Sequence, residues 1–346
     1  ALRGTRRTSP NPLVGCVVVR DGRILSEGYH ERCGGAHAER AALDRLPSAE
    51  GATLYVNLEP CAHHGRTPPC APYIVERGVA RVVLGMVDPD ERVRGRGMAL
   101  LEAAGVAVER GVLEEECRWI NRGFIRRVTM NRPWVTAKAA VSLDGGMALA
   151  NGESQWITGP EARTVAHLLR AEHDAVLVGA GTAAKDDPEL TVRHTVGPDP
   201  LRVILDARCA TSPEARAAKG ALVFVGPDAD ERRCADLRGH GAEVVAVPGN
   251  EGRLELPFVL VALADRGVSS LLVEGGPTVL SSFIREGLVD AFALFLSPRI
   301  MGRNLPIGGD LTFSSMDETL YLRTRTVRAV GDDLLLEGVP VCSPAL

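Results

Sequence analysis

The stretch from His37 to Cys70 constrains this chain more than any other. It opens with His37-Ala38-Glu39 and closes with Glu59-Pro60-Cys61 and, after the eight residues Ala62 to Pro69, with Cys70. Imidazole and thiolate are donors that zinc prefers, in tetrahedral geometry. Three of them, His37, Cys61 and Cys70, leave a fourth position for water, which is the arrangement of a catalytic zinc site rather than a structural one. Zinc lowers the pKa of such a water to about 7. Glu39 is then free to carry a proton. H-x-E followed by P-C-x-x-C is the layout of hydrolytic zinc deaminases, although those separate their cysteines by two residues.

Buried cysteines often do nothing but pack, and a histidine on its own is commonly a surface residue. The flanks favour the metal. Thr53-Leu54-Tyr55-Val56-Asn57-Leu58 reads as a strand that stops just before Cys61. Both cysteines follow a proline, where a loop or a helix start is expected. His37 and Glu39 precede Arg40-Ala41-Ala42-Leu43, a plausible first helical turn. Two helix starts would aim their positive dipole ends at the site.

A chain of 346 residues suggests two domains. A net charge of −4 argues against bulk nucleic-acid binding, which needs a basic face. No run of 18 apolar residues occurs, so no membrane helix is expected. The first seven residues have no apolar core of the kind a secretory signal carries. The eight cysteines, at 16, 33, 61, 70, 117, 209, 234 and 342, show no disulfide framework, and free thiols with zinc suit a reducing cytoplasm.

The first half reads as α/β. Val14–Val19, Asp21-Gly22 and Ile24-Leu25 form a hairpin signal. Helices are expected over 38–46, 72–77 and 97–104, with strands at 53–58, 80–86 and 106–108. A further helical stretch begins at Glu114 and runs to about Phe124. Arg118, Arg122, Arg126, Arg127 and Arg132 follow without an acid. An RNA- or phosphate-binding strip is one reading of them, and a solvated linker helix is the preferred one. The domain boundary is expected between Phe124 and Pro133.

The second half restarts the α/β pattern, with strands at 134–141, 174–178, 201–205, 221–225, 242–247, 270–273 and 292–296. Helices are expected at 160–171, 228–239 and 257–266, and from Pro277 to Glu286. Glu274-Gly275-Gly276-Pro277-Thr278 ends a strand and opens a helix, so its bare N–H groups suit a phosphate. A plain tight turn explains the same residues equally well. Gly179-Ala180-Gly181-Thr182-Ala183-Ala184 matches G-x-G-x-x-G/A, a weak signal alone. Lys185-Asp186-Asp187-Pro188 interrupts the helix that a Rossmann unit requires, so a standard Rossmann fold is rejected while a nucleotide site stays open.

Several of these segments carry a family resemblance. Glu59 through Cys70, with its long loop between cysteines, and Ser9-Pro10-Asn11-Pro12-Leu13-Val14-Gly15 resemble the bifunctional riboflavin-biosynthesis deaminase/reductase family. So do Lys138 through Gly145, Gly152 through Thr158, Leu169-Arg170, Val178 through Thr182, Asp186 through Arg193 and Gly275 through Ser282. The resemblance implies an α/β architecture: a cytidine-deaminase-like three-layer domain followed by a dihydrofolate-reductase-like domain. The divisions are a zinc-dependent pyrimidine deaminase over 1–124, a linker over 125–132 and an NADPH-dependent reductase over 133–346. The first domain would hydrolyse the 2-amino group of 2,5-diamino-6-ribosylamino-4(3H)-pyrimidinone 5′-phosphate. The second would deliver hydride to the ribose C1′ and leave a ribityl chain.

The resemblance also implies site residues. Zinc falls to His37, Cys61 and Cys70, with Glu39 as proton carrier and Asn11 on the substrate. Cofactor contacts fall on Ala140, Trp156, Thr182, Asp186 and the turn Gly276, Pro277, Thr278, Val279, Leu280, Ser281 and Ser282. Substrate contacts fall on Ser154, Arg170, Leu190, Arg193 and Glu274, and Lys138 positions the pyrimidine carbonyl. Arg170 and Arg193 would clamp a ribose phosphate through forked hydrogen bonds. Gly146 departs from the Lys or Arg common in the family after Asp-Gly, so any cofactor-phosphate contact from that side chain is absent. The family's helix before the Asn-Pro turn would be largely missing from this chain. A cytoplasmic homo-oligomer with a small phosphoribosyl pyrimidine substrate, and no nucleic-acid or membrane partner, is the expectation. Two rival readings stand beside it: a tRNA or nucleoside deaminase with an accessory C-terminal domain, and a zinc-stabilised binding module closed by His63 or His64.

Overall fold

A computed structural model of the chain describes residues 1–63 and 67–341. It divides into two compact units, Ala1–Arg132 and the residues from Pro133 on. Among the described residues no helix is long and apolar enough to cross a membrane.

The first unit is built on a five-stranded sheet in the order β2-β1-β3-β4-β5. Its strands are β1 (Gly15–Arg20), β2 (Arg23–Tyr29), β3 (Thr53–Leu58), β4 (Arg81–Met86) and β5 (Ala107–Arg110). β1 runs antiparallel to β2 and β3, while β3, β4 and β5 are parallel. Asp21 and Gly22 both take positive φ, 51° and 72°, which gives the β1–β2 turn the twist a tight hairpin needs. Helices α1 (Ala38–Leu43), α2 (Cys70–Glu76) and α3 (Arg96–Ala103) share one apolar core with the sheet. It is packed from Val18, Leu54, Leu84, Ala42, Ile74 and Leu101, all fully buried.

Two helices close the unit, α4 (Glu114–Ile120) and α5 (Arg122–Met130). The expected single helix to Phe124 is therefore broken at Asn121, which is buried. Its side-chain oxygen accepts from the Leu13 amide at 2.8 Å and its side-chain nitrogen donates to the Leu13 carbonyl. Residues 125–132, expected as a linker, are helical through Met130, and Ile125 packs against Leu58 and Met86. The run of arginines masked that apolar contact.

The second unit is built on a nine-stranded sheet in the order β11-β10-β9-β8-β14-β6-β15-β18-β17. In chain order its first elements are β6 (Trp134–Ser142), β7 (Gly146–Leu149), α6 (Pro160–Glu172), β8 (Ala175–Gly179), α7 (Ala180–Asp186), β9 (Leu201–Leu205) and β10 (Leu222–Val225). Then come α8 (Glu231–Gly239), β11 (Glu243–Ala246), β12 (Gly249–Asn250), β13 (Arg253–Leu254), α9 (Leu256–Asp265) and β14 (Ser270–Val273). The last are α10 (Pro277–Arg285), β15 (Ala291–Ser297), β16 (Asn304–Pro306), β17 (Leu322–Val330) and β18 (Asp333–Pro340). Alternate strand residues face two cores: Val176 and Val178 meet α6, α7 and α8, and Ala175 and Leu177 meet α9 and α10. Strands from β11 through β15 are parallel, which puts their C-terminal ends along one edge. That edge is where open parallel sheets bind ligands.

Two features depart from the sequence reading. A seven-residue helix, α7, does follow Gly179 and ends at Asp187, which has φ 37°, directly before Pro188. The hairpin of β17 and β18, outside any sequence signal used above, extends the sheet antiparallel beyond β15. β17 alternates arginine and threonine, and most of it is exposed.

Candidate active sites

In the first unit His37 is the N-cap of α1 and Cys70 the first residue of α2. Gly28 on β2 lets α1 lie directly on the sheet, because a Cβ there would overlap the Ala38 carbonyl and the Ala42 amide. Cys61 follows β3 and is held by its neighbours. Glu59, buried, accepts from the backbone amides of Asp88 (3.2 Å), Gly95 (3.0 Å) and Gly97 (3.0 Å). Gly97 has no room for a Cβ against the Pro60 carbonyl. The start of α3 thus pins Glu59-Pro60-Cys61.

These supports bring three donors together. His37 Nδ1 lies 3.6 Å from Cys61 Sγ and 3.4 Å from Cys70 Sγ, and all the ligand atoms fall within 4.8 Å of one another. Nε2 of His37 meets the Thr67 hydroxyl at 3.0 Å, which leaves Nδ1 for a metal. The Cys70 amide donates to Cys61 Sγ at 3.4 Å. Hydrogen bonding from Cys70 and His37 holds the Cys61 thiol far below the usual range. A ready thiolate, a second thiol and an oriented imidazole fit zinc. Among the described residues no fourth donor joins the group: His63 is outside it, and His64 lies outside the described residues.

Glu39 is buried beside this set, and burial pushes its carboxyl up to about 6. Asn11 Nδ2 lies 3.1 Å from His30 Nε2. His30 Nδ1 is 2.9 Å from the Ala36 carbonyl, so Nδ1 carries the proton and Nε2 accepts. The His30 and His37 rings meet edge to face at 5.5 Å. Neither His30 nor Thr67 stood out in the sequence. His30 is a lone histidine before a glycine turn, and Thr67 is one polar residue in a proline-rich loop.

The second unit holds a cavity of about 1030 Å³ along the C-terminal edge of its parallel strands. The register makes Val273 level with Ala137 and with Leu177. Lys138 and Glu274 therefore stand side by side, one residue further on. Arg170 on α6 binds Glu274 with a fork of 2.7 and 2.8 Å, and its third nitrogen donates to the Thr191 carbonyl. Burial works against an ionised Glu274, but Arg170 prevails and holds it at about 2. Burial lowers the Lys138 ammonium, with Glu274 opposing.

The other expected contacts divide. Ala140, Ser154, Trp156, Thr182, Asp186, Arg193, Gly276, Pro277, Thr278, Val279 and Ser282 all line the cavity. Thr182 Oγ1 accepts from the Gly276 amide at 3.2 Å. Trp156 is 61% exposed and carries the Arg163 guanidinium 4.6 Å over its ring. Leu280 and Ser281 do not line it. Leu280 is in the core beneath, and the Ser281 hydroxyl donates to Asp310 at 2.7 Å. Leu190 offers only backbone, because its side chain is in the opposite core. The expected phosphate clamp is also altered: Arg170 is taken by Glu274, whose buried charge needs a partner, and Arg193 pairs with Glu189. The Gly275–Gly276 turn lines the cavity at the start of α10 with no side chain of its own and suits a dinucleotide phosphate, with the Gly276 amide held by Thr182.

The family comparisons agree with both halves. Residues 1–86 match the cytidine and deoxycytidylate deaminase zinc-binding region, and residues 133–336 match the RibD C-terminal domain. The chain is 43% identical to the riboflavin biosynthesis protein RibD of Aquifex aeolicus, over 95% of this chain and 92% of that one. It is 38% identical to RibD of Escherichia coli, over 98% and 96%. Among solved structures, a diaminohydroxyphosphoribosylaminopyrimidine deaminase/5-amino-6-(5-phosphoribosylamino)uracil reductase from Thermotoga maritima superposes with a TM-score of 0.87 at 38% identity, over 98% and 95%. RibD of Acinetobacter baumannii gives 0.89 at 35% identity, over 98% and 95%. With a cytidine-deaminase-like unit that holds a zinc ligand set and a RibD reductase unit that holds a dinucleotide cavity, this chain belongs to the RibD family of bifunctional riboflavin-biosynthesis deaminase/reductases.

Proposed function

We infer that this chain catalyses two consecutive steps of riboflavin biosynthesis. The first is hydrolytic deamination of 2,5-diamino-6-ribosylamino-4(3H)-pyrimidinone 5′-phosphate to 5-amino-6-(5-phosphoribosylamino)uracil. The second is NADPH-dependent reduction of the ribosyl group to a ribityl chain. The observation that carries the reading is the coexistence of two complete sites: a His–Cys–Cys set beside a buried carboxyl, and a separate cavity of dinucleotide size.

In the first site His37, Cys61 and Cys70 would hold zinc, which would supply Lewis-acid chemistry there. Glu39, buried beside those ligands, would carry a proton from the attacking water to the departing amine. A carboxyl that burial raises above its usual range suits both halves of that task. His30 holds Nδ2 of Asn11, which leaves Oδ1 to accept from the pyrimidine. In the second site bound NADPH would supply the hydride. Lys138, beside ionised Glu274, directs a cation at the pyrimidine carbonyl. Arg170 keeps Glu274 charged, and Ser154 and the Leu190 backbone face the ribose.

The chain has seven free thiols among its described residues, which fits a reducing cytoplasm. We place it there as a homo-oligomer, a state supported by the exposed edge strand β17 and checked by sedimentation. The direct test is incubation with the diamino substrate, followed by mass analysis. Without NADPH the reaction should stop at the aminouracil, and with it the product should gain two hydrogens. A product that keeps its 2-amino group under both conditions contradicts the reading.

A further inference from the structure

We propose that His167 is a positioning residue of the reductase: its Nδ1 holds the segment from Pro188 to His194 in place against the substrate. The proposal rests on the reductase reading above and adds a residue on which the shape of that site depends.

The segment needs holding. Residues 187–200, between α7 and β9, form no helix or strand, so no ladder of backbone hydrogen bonds fixes them. Yet Pro188, Glu189, Leu190, Arg193 and His194 all line the cavity. Leu190 has φ 54° and anchors the segment through its buried side chain. The Val192 amide donates to Asp199 at 2.7 Å, a bond within the segment itself. Arg216 pairs with Asp187 and Glu189 on the exposed side, where ion pairs hold little.

Two further ties come from one face of α6. The Arg193 amide donates to His167 Nδ1 at 3.0 Å. Arg170, three residues on, donates to the Thr191 carbonyl at 3.1 Å while its fork binds Glu274. Side chains three apart on a helix are neighbours on its surface. Arg170 therefore sets the middle of the segment against Glu274, and His167 sets its far end. The His194 ring also meets the His167 ring edge to face, with centroids 4.5 Å apart, so one side chain touches the segment twice.

The chemistry of His167 fits an acceptor. A neutral imidazole has one acceptor nitrogen and one donor. A backbone N–H only donates, so Nδ1 accepts and Nε2 carries the proton. Protonation would turn Nδ1 into a donor facing a donor. The ring is buried, and burial first, then the Arg170, His194 and Arg193 side chains, hold it at about 4, with Glu274 opposing. The groups facing His167 from its own helix, from the segment and from the end of β14 thus leave Nδ1 free to accept at neutral pH.

The test compares the wild type with His167→Ala, His167→Asn and His167→Gln in steady-state reduction of the supplied aminouracil by NADPH. An asparagine amide places its oxygen near the Nδ1 position, and a glutamine amide places it near the Nε2 position. His167→Ala and His167→Gln should raise KM for the aminouracil roughly 3- to 10-fold, the range for one net hydrogen bond. The kcat should change little, since the segment holds substrate before and during hydride transfer alike. His167→Asn should restore KM to near the wild-type value. NADPH affinity, read by fluorescence titration, should stay constant and shows that the second unit is folded. If His167→Ala does not fold, the contrast between His167→Asn and His167→Gln decides alone. Nitrogen-15 spectra at about pH 5.5, where an ordinary histidine is mostly charged, should show this ring protonated on Nε2 only. Its signals are assigned by their loss in His167→Asn. The same KM in every variant, rescue by His167→Gln instead of His167→Asn, a loss confined to kcat, or a doubly protonated ring overturns the role of His167 and leaves the reductase reading intact. A wild type that does not oxidise NADPH with the aminouracil overturns the reductase reading and this proposal together.

Discussion

The two sites are assembled in opposite ways. The zinc pocket is local: His37, Cys61 and Cys70 come from two helix starts and a strand end within 34 residues, and one buried glutamate ties the strand end to α3. The reductase cavity is distributed. Its lining runs from Lys138 to Leu305 and depends on the order β9-β8-β14-β6. A local site is legible as a motif with spacing. A distributed site is legible only once strand order is known, because residues far apart in sequence become level through register.

The largest expected effect breaks the local site alone. Cys61→Ser with Cys70→Ser should lose zinc and abolish deamination, while reduction of the supplied aminouracil continues. Metal analysis and the two separate assays check this. Retention of zinc by the double variant would remove the ligand assignment.

The next effect probes the distributed site. Glu274→Gln leaves Arg170 charged and buried without its partner, a change that typically costs about 3–5 kcal/mol. Denaturant unfolding of the second unit should shift by that order while zinc content stays constant. The pair also sets a pH window. Glu274 is held at about 2, below its ordinary value of 4.5. Its contribution to stability is therefore full above pH 4.5 and is lost as pH falls towards 2. A wild-type and Glu274→Gln stability difference that stayed constant across that window would show that the ion pair is not the cause.

A smaller effect refines the picture of the zinc pocket. Thr67→Val removes the hydroxyl on His37 Nε2. Zinc affinity should drop roughly 10- to 100-fold, as for other partners of metal-bound histidines. Competition with a chelator measures it, and an unchanged affinity would mean that α1 alone orients the ring.

The pattern of what the sequence disclosed follows the same division. Thr53–Leu58 and Ser270–Val273 are found where the apolar runs predict them, the first through the alternation of buried Leu54, Val56 and Leu58 and the second as a short buried run. The deaminase triad of ligands was visible for the reason given above. The β17–β18 hairpin escaped because its outer strand is nearly all exposed, so arginine and threonine carry no burial signal. Helix α7 escaped because Pro188 follows so soon, yet one αL residue at Asp187 ends the helix before the proline matters. Arg170 resembled a phosphate ligand by type, and only the fold shows Glu274 already in its fork. His30 and Thr67 carry no motif at all, and each gains its place from tertiary contacts.

The central claim is that two independent chemistries share one chain, and a crossed assay tests it most directly. Glu39→Gln keeps the shape of the side chain and removes the proton carrier, a loss typically on the order of 10²–10⁴ in rate. Lys138→Ala removes the cation of the other site. Zinc-loaded Glu39→Gln protein should fail on the diamino substrate but oxidise NADPH at the normal rate when given the aminouracil. Lys138→Ala should do the reverse, accumulating deaminated product with NADPH unconsumed. Loss of both reactions in folded, zinc-loaded Glu39→Gln protein would contradict the two-site account and require one shared site.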